Sequence, residues 1–306
     1  MTKGPIRDVA ASVRQRLLNL ARATNRPFQE LLQYFAMERF LYRLSRSPHA
    51  SRFVLKGALM FTVWRGPASR PTKDIDLLGR MANTVDAVVP AIRDVCNQAV
   101  EPDGLVFHAD DVAGTVIKEE ADYSGVRVTF RVTLQNARVA MQIDVGFGDV
   151  ITPAAGPVEY PSVLDFPTPR LLGYNRETAV AEKFEAMVKL GLLNSRMKDF
   201  YDLWLVSRQF EFDGTALVAA VTRTFANRGT DVDPHPFALT PAFAGDRGKQ
   251  TQWAGFLRKS RLTGAPADLP AVIDTLGPFL LPVVAAVRAS AAFDQVWIPP
   301  GPWQPR

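Results

Sequence analysis

Cysteine and histidine are scarce in this sequence. One cysteine, Cys96, and three histidines occur among its 306 residues. A single cysteine cannot form an internal disulfide and leaves no thiolate cluster for a metal. The three histidines are scattered along the chain, which argues against a histidine-based zinc site. The sequence therefore excludes a disulfide scaffold and disfavours zinc chemistry.

Long apolar runs are also missing. No segment approaches the roughly 18 consecutive apolar residues that a membrane span requires, and the first ten residues, MTKGPIRDVA, lack the apolar core of a signal peptide. Hydrophobic residues make up 47% of the chain, which is ample for a core in one large domain or two smaller ones. We expect a soluble, cytoplasmic protein without a membrane partner.

Basic residues outnumber acidic ones, 36 to 31, and the excess lies near the N-terminus. Residues 1–50 hold three acids and nine bases, a local charge of +6 against +5 for the whole chain. A basic face of this kind suits a polyanion, with nucleic acid favoured over membrane. The alternative is an Arg-rich surface helix without a ligand. The nine residues are Lys3, Arg7, Arg14, Arg16, Arg22, Arg26, Arg39, Arg43 and Arg46.

Periodicity predicts a mixed N-terminal half. Helical spacing over residues 8–47 predicts two helices, with Pro27 in the first turn of the second. The stretch DIDLLGR predicts a strand, and TVDAVVPAIRDVCNQAV predicts a helix capped by Thr84. Two segments with period two, VRVTFRVTLQ and ARVAMQIDVGFGD, predict further strands. The apolar face of the first of these consists of Val126, Val128, Phe130, Val132 and Leu134.

The second half of the chain reads as mainly helical. Five prolines between Ile151 and Arg170 predict a linker. Helical spacing then dominates, as in RETAVAEKFEAMVKLGLLN, MKDFYDLWLVSRQF and LPAVIDTLGPFLLPVVAAVRASAAF. We therefore expect an α+β fold in two domains. Residues 1–160 would hold a mixed sheet and the basic N-terminal helices, and residues 161–306 would be mainly helical.

Two aspartates one residue apart mark the strand DIDLLGR. Asp74 and Asp76 share one face of this strand, and Ile75 and Leu77 pack behind them. Carboxylates about 7 Å apart repel each other unless a cation lies between them. Mg²⁺ bound to nucleotide phosphates would satisfy both, because hard cations take carboxylate and phosphate oxygens together. The alternative is a solvated strand edge.

Three further positions could complete such a site. Asp144 is a lone acid in an apolar strand segment, and a third carboxylate on a neighbouring strand would complete a two-metal clamp. Gly57 would let the backbone approach a nucleotide, and the adjacent N–H groups could bond phosphate oxygens. Lys56 would add a cation, or it is a solvated strand end.

In the helical half, Lys183 lies beside the apolar stripe of its helix, where a lysine side chain can reach solvent. Asp199 and Asp202 are three residues apart and hence on one helical face. Without a ligand they would cap the helix or pair with Lys198 or Arg196. Taken alone, Lys183 indicates a surface position.

Seven motifs follow one another along the chain: ERFLYRL, FVLKGALMF, RPTKDIDLL, QIDVGFGD, VAEKFEAM, KDFYDLW and WAGFL. Their order resembles that of the AbiEii-type nucleotidyltransferase toxins. This family includes the MenT toxins and is similar to the wider DNA polymerase β-like nucleotidyltransferases. The resemblance spans roughly residues 12–290, and LKGA with TKDIDL is its most specific part.

The resemblance implies a bilobed toxin whose first lobe binds an NTP and Mg²⁺. By analogy, Asp74 and Asp76 would bind the metal, and Lys183 would contact the triphosphate. Asp199 would be the acid of the last motif, with Asp202 the less favoured candidate. Such toxins are paired with a cognate antitoxin. Characterised members add nucleotides to the 3′ acceptor end of tRNA, which blocks translation.

The chain departs from the family pattern at Gly57-Ala58, where the family often has Gly-Gly or Gly-Ser. Ala58 keeps the backbone N–H and loses any hydroxyl contact to phosphate. We expect an NTP-dependent nucleotidyltransferase that modifies the acceptor end of tRNA. Two alternatives stay open: transfer to a protein or small-molecule acceptor, and a non-catalytic nucleotide- or RNA-binding module.

Overall fold

The structure is a computed structural model that describes residues 8–65, 71–119, 123–260, 262 and 264–306. Lys3 and Arg7 of the predicted basic face, and part of the loop before the DIDLLGR strand, lie outside the described residues. The chain divides into two compact units. Unit 1 comprises Met1–Gly148 and Gly156–Gly173, and unit 2 comprises Asp149–Ala155 and Tyr174–Arg306.

Unit 1 is built on a mixed sheet of eight strands. They are β1 (Phe53–Lys56), β2 (Asp74–Gly79), β3 (Val106–Phe107), β4 (Ala113–Glu119), β5 (Tyr123–Leu134), β6 (Ala137–Phe147), β7 (Gly156–Glu159) and β8 (Arg170–Gly173). The order is β3-β5-β6-β2-β1-β8-β7, and β4 pairs with β5 outside this path. The pairs β2–β6 and β1–β8 are parallel, whereas the other pairs are antiparallel. The combination of this sheet with helices confirms the predicted α+β class.

The proline-rich segment after residue 150 corrects the sequence interpretation. It was expected to be a linker, yet its residues Gly156–Glu159 form β7 and pair with β8. Strands on both sides of residue 160 therefore belong to unit 1. Pro157 is tolerated because β7 ends the strand order, and an edge position does not need the N–H that proline lacks.

Unit 1 has four α-helices in the described residues, and the predicted cap at Thr84 is confirmed. They are α1 (Val9–Thr24), α2 (Phe28–Arg46), α3 (Leu59–Arg65) and α4 (Val85–Asn97). The Asp8 carboxylate accepts a hydrogen bond from the N–H of Ala11, and the Thr84 hydroxyl accepts one from Ala87. Each satisfies a backbone donor that the first helical turn leaves open. Pro27 is the N-cap of α2 and lies one residue before its first turn.

The core of unit 1 lies between one face of the sheet and its helices. All five apolar residues predicted for the inner face of β5 are buried, which confirms that prediction. The Phe40 ring on α2 lies 5.7 Å from Phe130 and 6.5 Å from Phe107, measured between ring centroids. The opposite face of β5 carries polar side chains, including the exposed Thr129 and Arg131. We call this the open face of the sheet.

Unit 2 is mainly helical, as the sequence predicts. Its helices are α5 (Arg176–Leu190), α6 (Met197–Ser207), α7 (Gly214–Arg228), α8 (Pro241–Gly245), α9 (Arg247–Ser260) and α10 (Leu269–Ala289). Side chains cap several of them: Asn175 caps α5, Asp213 caps α7 and Asp268 caps α10.

A small antiparallel sheet in unit 2 was not predicted from the sequence. Its strands are β9 (Phe212–Asp213), β10 (Gln295–Trp297) and β11 (Trp303–Pro305). The indole N–H of Trp297 donates to the carbonyl of Ser207, and that of Trp303 donates to the carbonyl of Phe279. Strands of two or three residues are too short to show an alternation of apolar and polar residues, so the sequence could not predict them. Aromatic packing holds them in place.

Helix α10 has the length and mean hydropathy of a membrane span, which the sequence analysis did not anticipate. Half of its most apolar window is nevertheless buried inside the structure, as happens in the core helix of a soluble protein. It also contains Pro278, Pro282 and the acidic Asp274. The length and composition of this one helix are therefore weak support for a membrane span.

Buried ion pairs correct the predicted basic face. Arg39 and Arg43 on α2 are buried, and both donate to the carboxylate of Asp103. A buried guanidinium requires such a partner, because an unpaired charge in the interior is costly. Two further bases are paired at the surface, Arg16 with Asp165 and Arg26 with Glu30. Arg39 and Arg43 therefore stabilise the fold and are not part of a surface for a polyanion.

Glu38 ties α2 to the segment that follows β7. Its carboxylate accepts hydrogen bonds from the N–H of Val163 and the hydroxyl of Ser162, at 2.6 and 3.1 Å. Burial raises the pKa of Glu38 to about 7, although Val163, Arg39 and Ser162 act in the opposite direction. The side chain is therefore largely protonated in mildly acidic solution, whereas a glutamate in the unfolded chain is not.

We expect Glu38→Gln to remove a pH dependence of folding stability. Because the pKa of Glu38 is raised in the folded state, its contribution is complete below about pH 4.5 and is lost as the pH rises through 7. The loss amounts to about 3 kcal/mol between these limits. Urea denaturation at pH 5 and pH 8 measures it, with the exposed Glu211→Gln as control. An equal pH dependence in Glu38→Gln and wild type would contradict the assignment.

Candidate active site

Three carboxylates meet on the open face of unit 1. Asp74 and Asp76 lie on β2 and Asp144 lies on β6, and one oxygen from each is within 4.8 Å of the others. The two strands pair in parallel, with Asp76 opposite Asp144 and Asp74 opposite Gln142. Because the strands are adjacent and the residues are in register, the side chains project from the same face. The sequence predicted this grouping, and we call it the acid triad.

Charged residues continue across the sheet on both sides of the triad. Lys56 on β1 lies opposite Asp76, and Arg127 on β5 lies opposite Asp144. The four strands β1, β2, β6 and β5 thus present one row of charges in the order Lys56, Asp76, Asp144, Arg127. The two flanking cations offset repulsion between the carboxylates.

Arg127 holds Asp144 through two parallel hydrogen bonds. Its Nε donates to Oδ1 and its Nη2 donates to Oδ2, each at 2.7 Å. The Gln142 amide adds a bond of 3.1 Å to Oδ2. A bidentate pair fixes the orientation of the carboxylate as well as its position. Arg127 was not among the site residues predicted from the sequence. Its position on the polar face of an alternating strand was the one feature that could have indicated it.

Gly57 is required by the position of Asp76. Its φ is +69°, a conformation that glycine adopts without strain. A Cβ at this position would overlap the Asp76 carboxylate. The sequence analysis assigned Gly57 to close approach of a nucleotide, and the structure adds that the turn makes room for a triad carboxylate. Ala58 is buried directly after this turn.

The donor set of the triad fits a hard divalent cation. It offers carboxylate oxygens from three residues and no nitrogen or sulfur, which suits Mg²⁺, Mn²⁺ or Ca²⁺. Asp74 and Asp76 are half-buried, and Asp144 is buried. Asp76, Asp144 and Lys56 also line a common cleft with Ser124 and Gly125. The cleft has a volume of about 30 Å³, which is room for an ion or a water molecule beside the carboxylates.

Unit 2 contains its own ion cluster around Lys183. The Nζ atom lies 2.6 Å from Asp199 and 2.9 Å from Asp202, and Arg196 lies 2.8 Å from Asp199. Both aspartates are 1% exposed. The interpretation of Lys183 as a surface position is therefore wrong, because α5 and α6 pack together and enclose the opposite charges. The pairing of Asp199 with Arg196 agrees with one of the sequence alternatives.

The cluster shifts the pKa of Asp199. Burial by itself would raise that pKa, but the positive charges of Lys183 and Arg196 lower it to about 2. Asp199 therefore stays ionised in the folded state through the physiological range. A buried carboxylate of this kind stabilises the fold only while its cationic partners are present.

A second buried cluster in unit 2 surrounds Arg228. Its guanidinium lies 2.9 Å from Asp149, 2.8 Å from Glu185 and 3.6 Å from Glu182. Burial lowers the pKa of Arg228, but the three carboxylates more than reverse this and raise it. Asp149 and Arg228 are distant in sequence from the glutamates of α5, so sequence spacing could not identify the cluster.

We expect Gly57→Ala to weaken divalent-ion binding by about tenfold or more, because the new methyl group displaces the Asp76 carboxylate. Gly148→Ala is the matched control, since Gly148 has a similar φ of +77° and open space around it. Both variants should lose a little stability through backbone strain. Calorimetric titration with Mn²⁺ measures the difference, and equal affinities in the two variants would refute the explanation.

Asp199→Asn should destabilise the protein at neutral pH and make a smaller difference in acid. Because the pKa of Asp199 is depressed, its stabilising contribution is present above about pH 4 and is lost as the pH falls through 2. At neutral pH the variant should be less stable by about 2 kcal/mol or more. Denaturant titrations at pH 7 and pH 3 check this, with Asp274→Asn on the exposed side of α10 as control. A variant that keeps the wild-type stability at both pH values would contradict the prediction.

Comparison with known proteins agrees with the geometry. A model of the AbiEii nucleotidyltransferase toxin of type IV toxin–antitoxin systems matches residues 39–276. Among solved structures, one from H. pylori, described as a candidate nucleotidyltransferase, has 14% identity and a TM-score of 0.51, and the match covers 87% of this chain and 99% of that one.

A second H. pylori structure, that of JHP933, also has 14% identity, with a TM-score of 0.50 and coverage of 86% of this chain and 94% of the other. At such low identity these structures support the fold alone. No curated protein sequence matches the chain. The family match covers well over half of the residues and confirms the resemblance that the motifs indicated. The chain therefore belongs to the AbiEii nucleotidyltransferase toxin family, as a nucleotidyltransferase whose type IV toxin–antitoxin system includes an antitoxin partner.

Proposed function

We propose that the protein transfers nucleotides from an NTP to the 3′ acceptor end of tRNA in a Mg²⁺-dependent reaction and thereby blocks translation. The acid triad across β2 and β6 is the observation that carries the proposal. The reaction class follows from the family, and the tRNA acceptor follows from the motif resemblance. The site would then work in the cytoplasm, where NTPs and tRNA are found together.

The roles of the triad follow from its charge and position. Asp74, Asp76 and Asp144 would hold the divalent ion, which when bound neutralises phosphate charge and acidifies a bound hydroxyl. Arg127 would keep Asp144 oriented through its two hydrogen bonds. Gly57 would leave the Asp76 carboxylate free to take the same position in each catalytic cycle.

The nucleotide would bind on the β1 side of the triad. Lys56 lines the cleft that Asp76 and Asp144 also line, and its ammonium group can neutralise phosphate oxygens there. The turn at Gly57 and Ala58 would bring backbone N–H groups close to the same phosphates. Ala58 offers no hydroxyl, so we expect phosphate contact through the main chain at this position.

Transfer would be an in-line displacement. The 3′-hydroxyl oxygen of the acceptor would bond to the α-phosphorus of the NTP while the bond to the β-phosphate oxygen breaks and pyrophosphate leaves. The proton of the hydroxyl would pass to solvent. Placing both substrates against one rigid row of side chains supplies much of the rate enhancement, because positioning and charge stabilisation dominate phosphoryl transfer.

Lys183 keeps the role that the family resemblance implies, and the ion cluster suggests a role for Asp199, the acid of the last motif. Lys183 would neutralise the triphosphate, and Asp199 would fix the lysine in place. Their ion cluster supports the second role, because two carboxylates hold the Nζ atom at hydrogen-bond distance. Asp202 shares this task, which makes it a positioning residue together with Asp199.

Asp76→Asn should abolish transfer while the protein stays folded, because the amide keeps the shape of the carboxylate and loses its charge. A fall in label incorporation of about 100-fold or more is expected. The assay incubates the protein with each radiolabelled NTP, Mg²⁺ and total tRNA, and then separates RNA from protein. Asp165→Asn, with a fully exposed side chain, is the control.

The same assay distinguishes the alternative functions. Label that appears in a protein band or a small molecule instead of tRNA would replace the proposed acceptor. Folded wild-type protein that binds NTP and transfers no label would point to a binding module. In that case Asp76→Asn would also leave toxicity in cells unchanged.

A further inference from the structure

We propose that the open face of β5 and β6 beyond the acid triad binds the single-stranded 3′ end of the RNA acceptor through Arg131 and Arg138. This inference rests on the proposed function and deepens it, because it locates the acceptor. The N-terminal helices were the surface that sequence analysis favoured for RNA. The structure removes Arg39 and Arg43 from that surface, which leaves it less basic than the sequence suggests.

Strand register places the two arginines in line with the triad. Asp144 pairs with Arg127, Gln142 with Thr129, Ala140 with Arg131, and Arg138 with Thr133. These alternate positions of β5 and β6 share the open face. Arg131 and Arg138 therefore follow the Asp144 row at about 13 and 20 Å along the strands. Cations at intervals along one direction match the repeated phosphates of a nucleic-acid strand.

The chemistry of this face suits a polyanion. Beyond the Asp144 row, the six open-face positions of β5 and β6 contain two arginines and no acid: Thr129, Arg131, Thr133, Arg138, Ala140 and Gln142. A groove of about 520 Å³ borders Asp74 and is lined by Thr129, Arg131, Ala140 and Gln142. Its size is that of a nucleotide-sized ligand site. The groove thus meets the triad at Asp74.

Besides Asp74 of the triad, one further carboxylate lines the groove and competes for its arginine. Asp111 lies 2.8 Å from the Arg131 guanidinium, with side chains 39% and 46% exposed. An exposed pair of this kind is weak, so a phosphate can displace the carboxylate or share the guanidinium with it. When no RNA is bound, Asp111 holds the Arg131 side chain in place on the open face.

The direction of the reaction supports the same placement. In an in-line displacement the attacking and leaving oxygens lie on opposite sides of the α-phosphorus. The sheet order β1-β2-β6-β5 puts Lys56 and Gly57 on one side of the triad and β5, which carries Arg131, on the other. With the triphosphate on the β1 side, the acceptor hydroxyl approaches from the β5 side.

RNA binding without NTP or metal tests the proposal separately from transfer. Fluorescence anisotropy with a short labelled single-stranded RNA gives Kd over a series of salt concentrations. The double variant Arg131→Ala/Arg138→Ala should weaken binding by about tenfold. Its slope of log Kd against log salt should fall by about 1.4, which is about 0.7 for each lost phosphate contact.

Three further variants make the test specific. Arg170→Ala removes an arginine that is 80% exposed at the far end of the same sheet, and it should bind RNA like wild type. Arg14→Ala/Arg22→Ala removes exposed arginines from α1, and it should also change little. Asp111→Asn should tighten binding a few-fold, an effect in the opposite direction that misfolding cannot produce.

The outcomes separate the two proposals. Unchanged Kd and salt slope in Arg131→Ala/Arg138→Ala would overturn the acceptor surface, even if wild type labels tRNA. Greater loss in Arg14→Ala/Arg22→Ala would overturn it in favour of the N-terminal helices. Absence of transfer by wild type would reject the proposed function, while weakened RNA binding in the Arg131→Ala/Arg138→Ala variant would still support the surface.

Discussion

The parallel pairing of β2 with β6 is the constraint on which the candidate site depends. It puts Asp76 opposite Asp144 and so brings together carboxylates that are 68 positions apart in the chain. A shift of one residue would turn every side chain of β2 to the other face and bury both aspartates against the helices. The buried Ile75 and Leu77 prevent that shift, because their apolar side chains must face the core.

Charge compensation makes this concentration of acids tolerable. Lys56 and Arg127 lie at the two ends of the row, and Arg127 occupies both oxygens of Asp144. The Gly57 turn leaves the space that the Asp76 carboxylate fills. The site is therefore assembled before a cation or a nucleotide arrives, which reduces the reorganisation that catalysis requires.

Elsewhere, opposite charges are used to hold elements together. Arg39 and Arg43 meet Asp103 in unit 1, and Lys183 meets Asp199 and Asp202 in unit 2. Removal of one member leaves a buried charge without its partner, which costs more than the pair contributes. The same pairing explains why the net charge of a sequence segment does not give the charge of the protein surface that the segment forms. Bases that enter the interior no longer act on a distant polyanion.

The sequence by itself determined the elements with strong periodicity, the D-x-D face of β2 and the family, because period two and motif order are local properties. It could not locate Arg127, whose role depends on the pairing of β5 with β6. Nor could it show that Lys183 is enclosed by acids, since those acids lie on another helix. Tertiary structure decided which charges face solvent and which meet each other, because Coulomb energy and desolvation depend on distance in space.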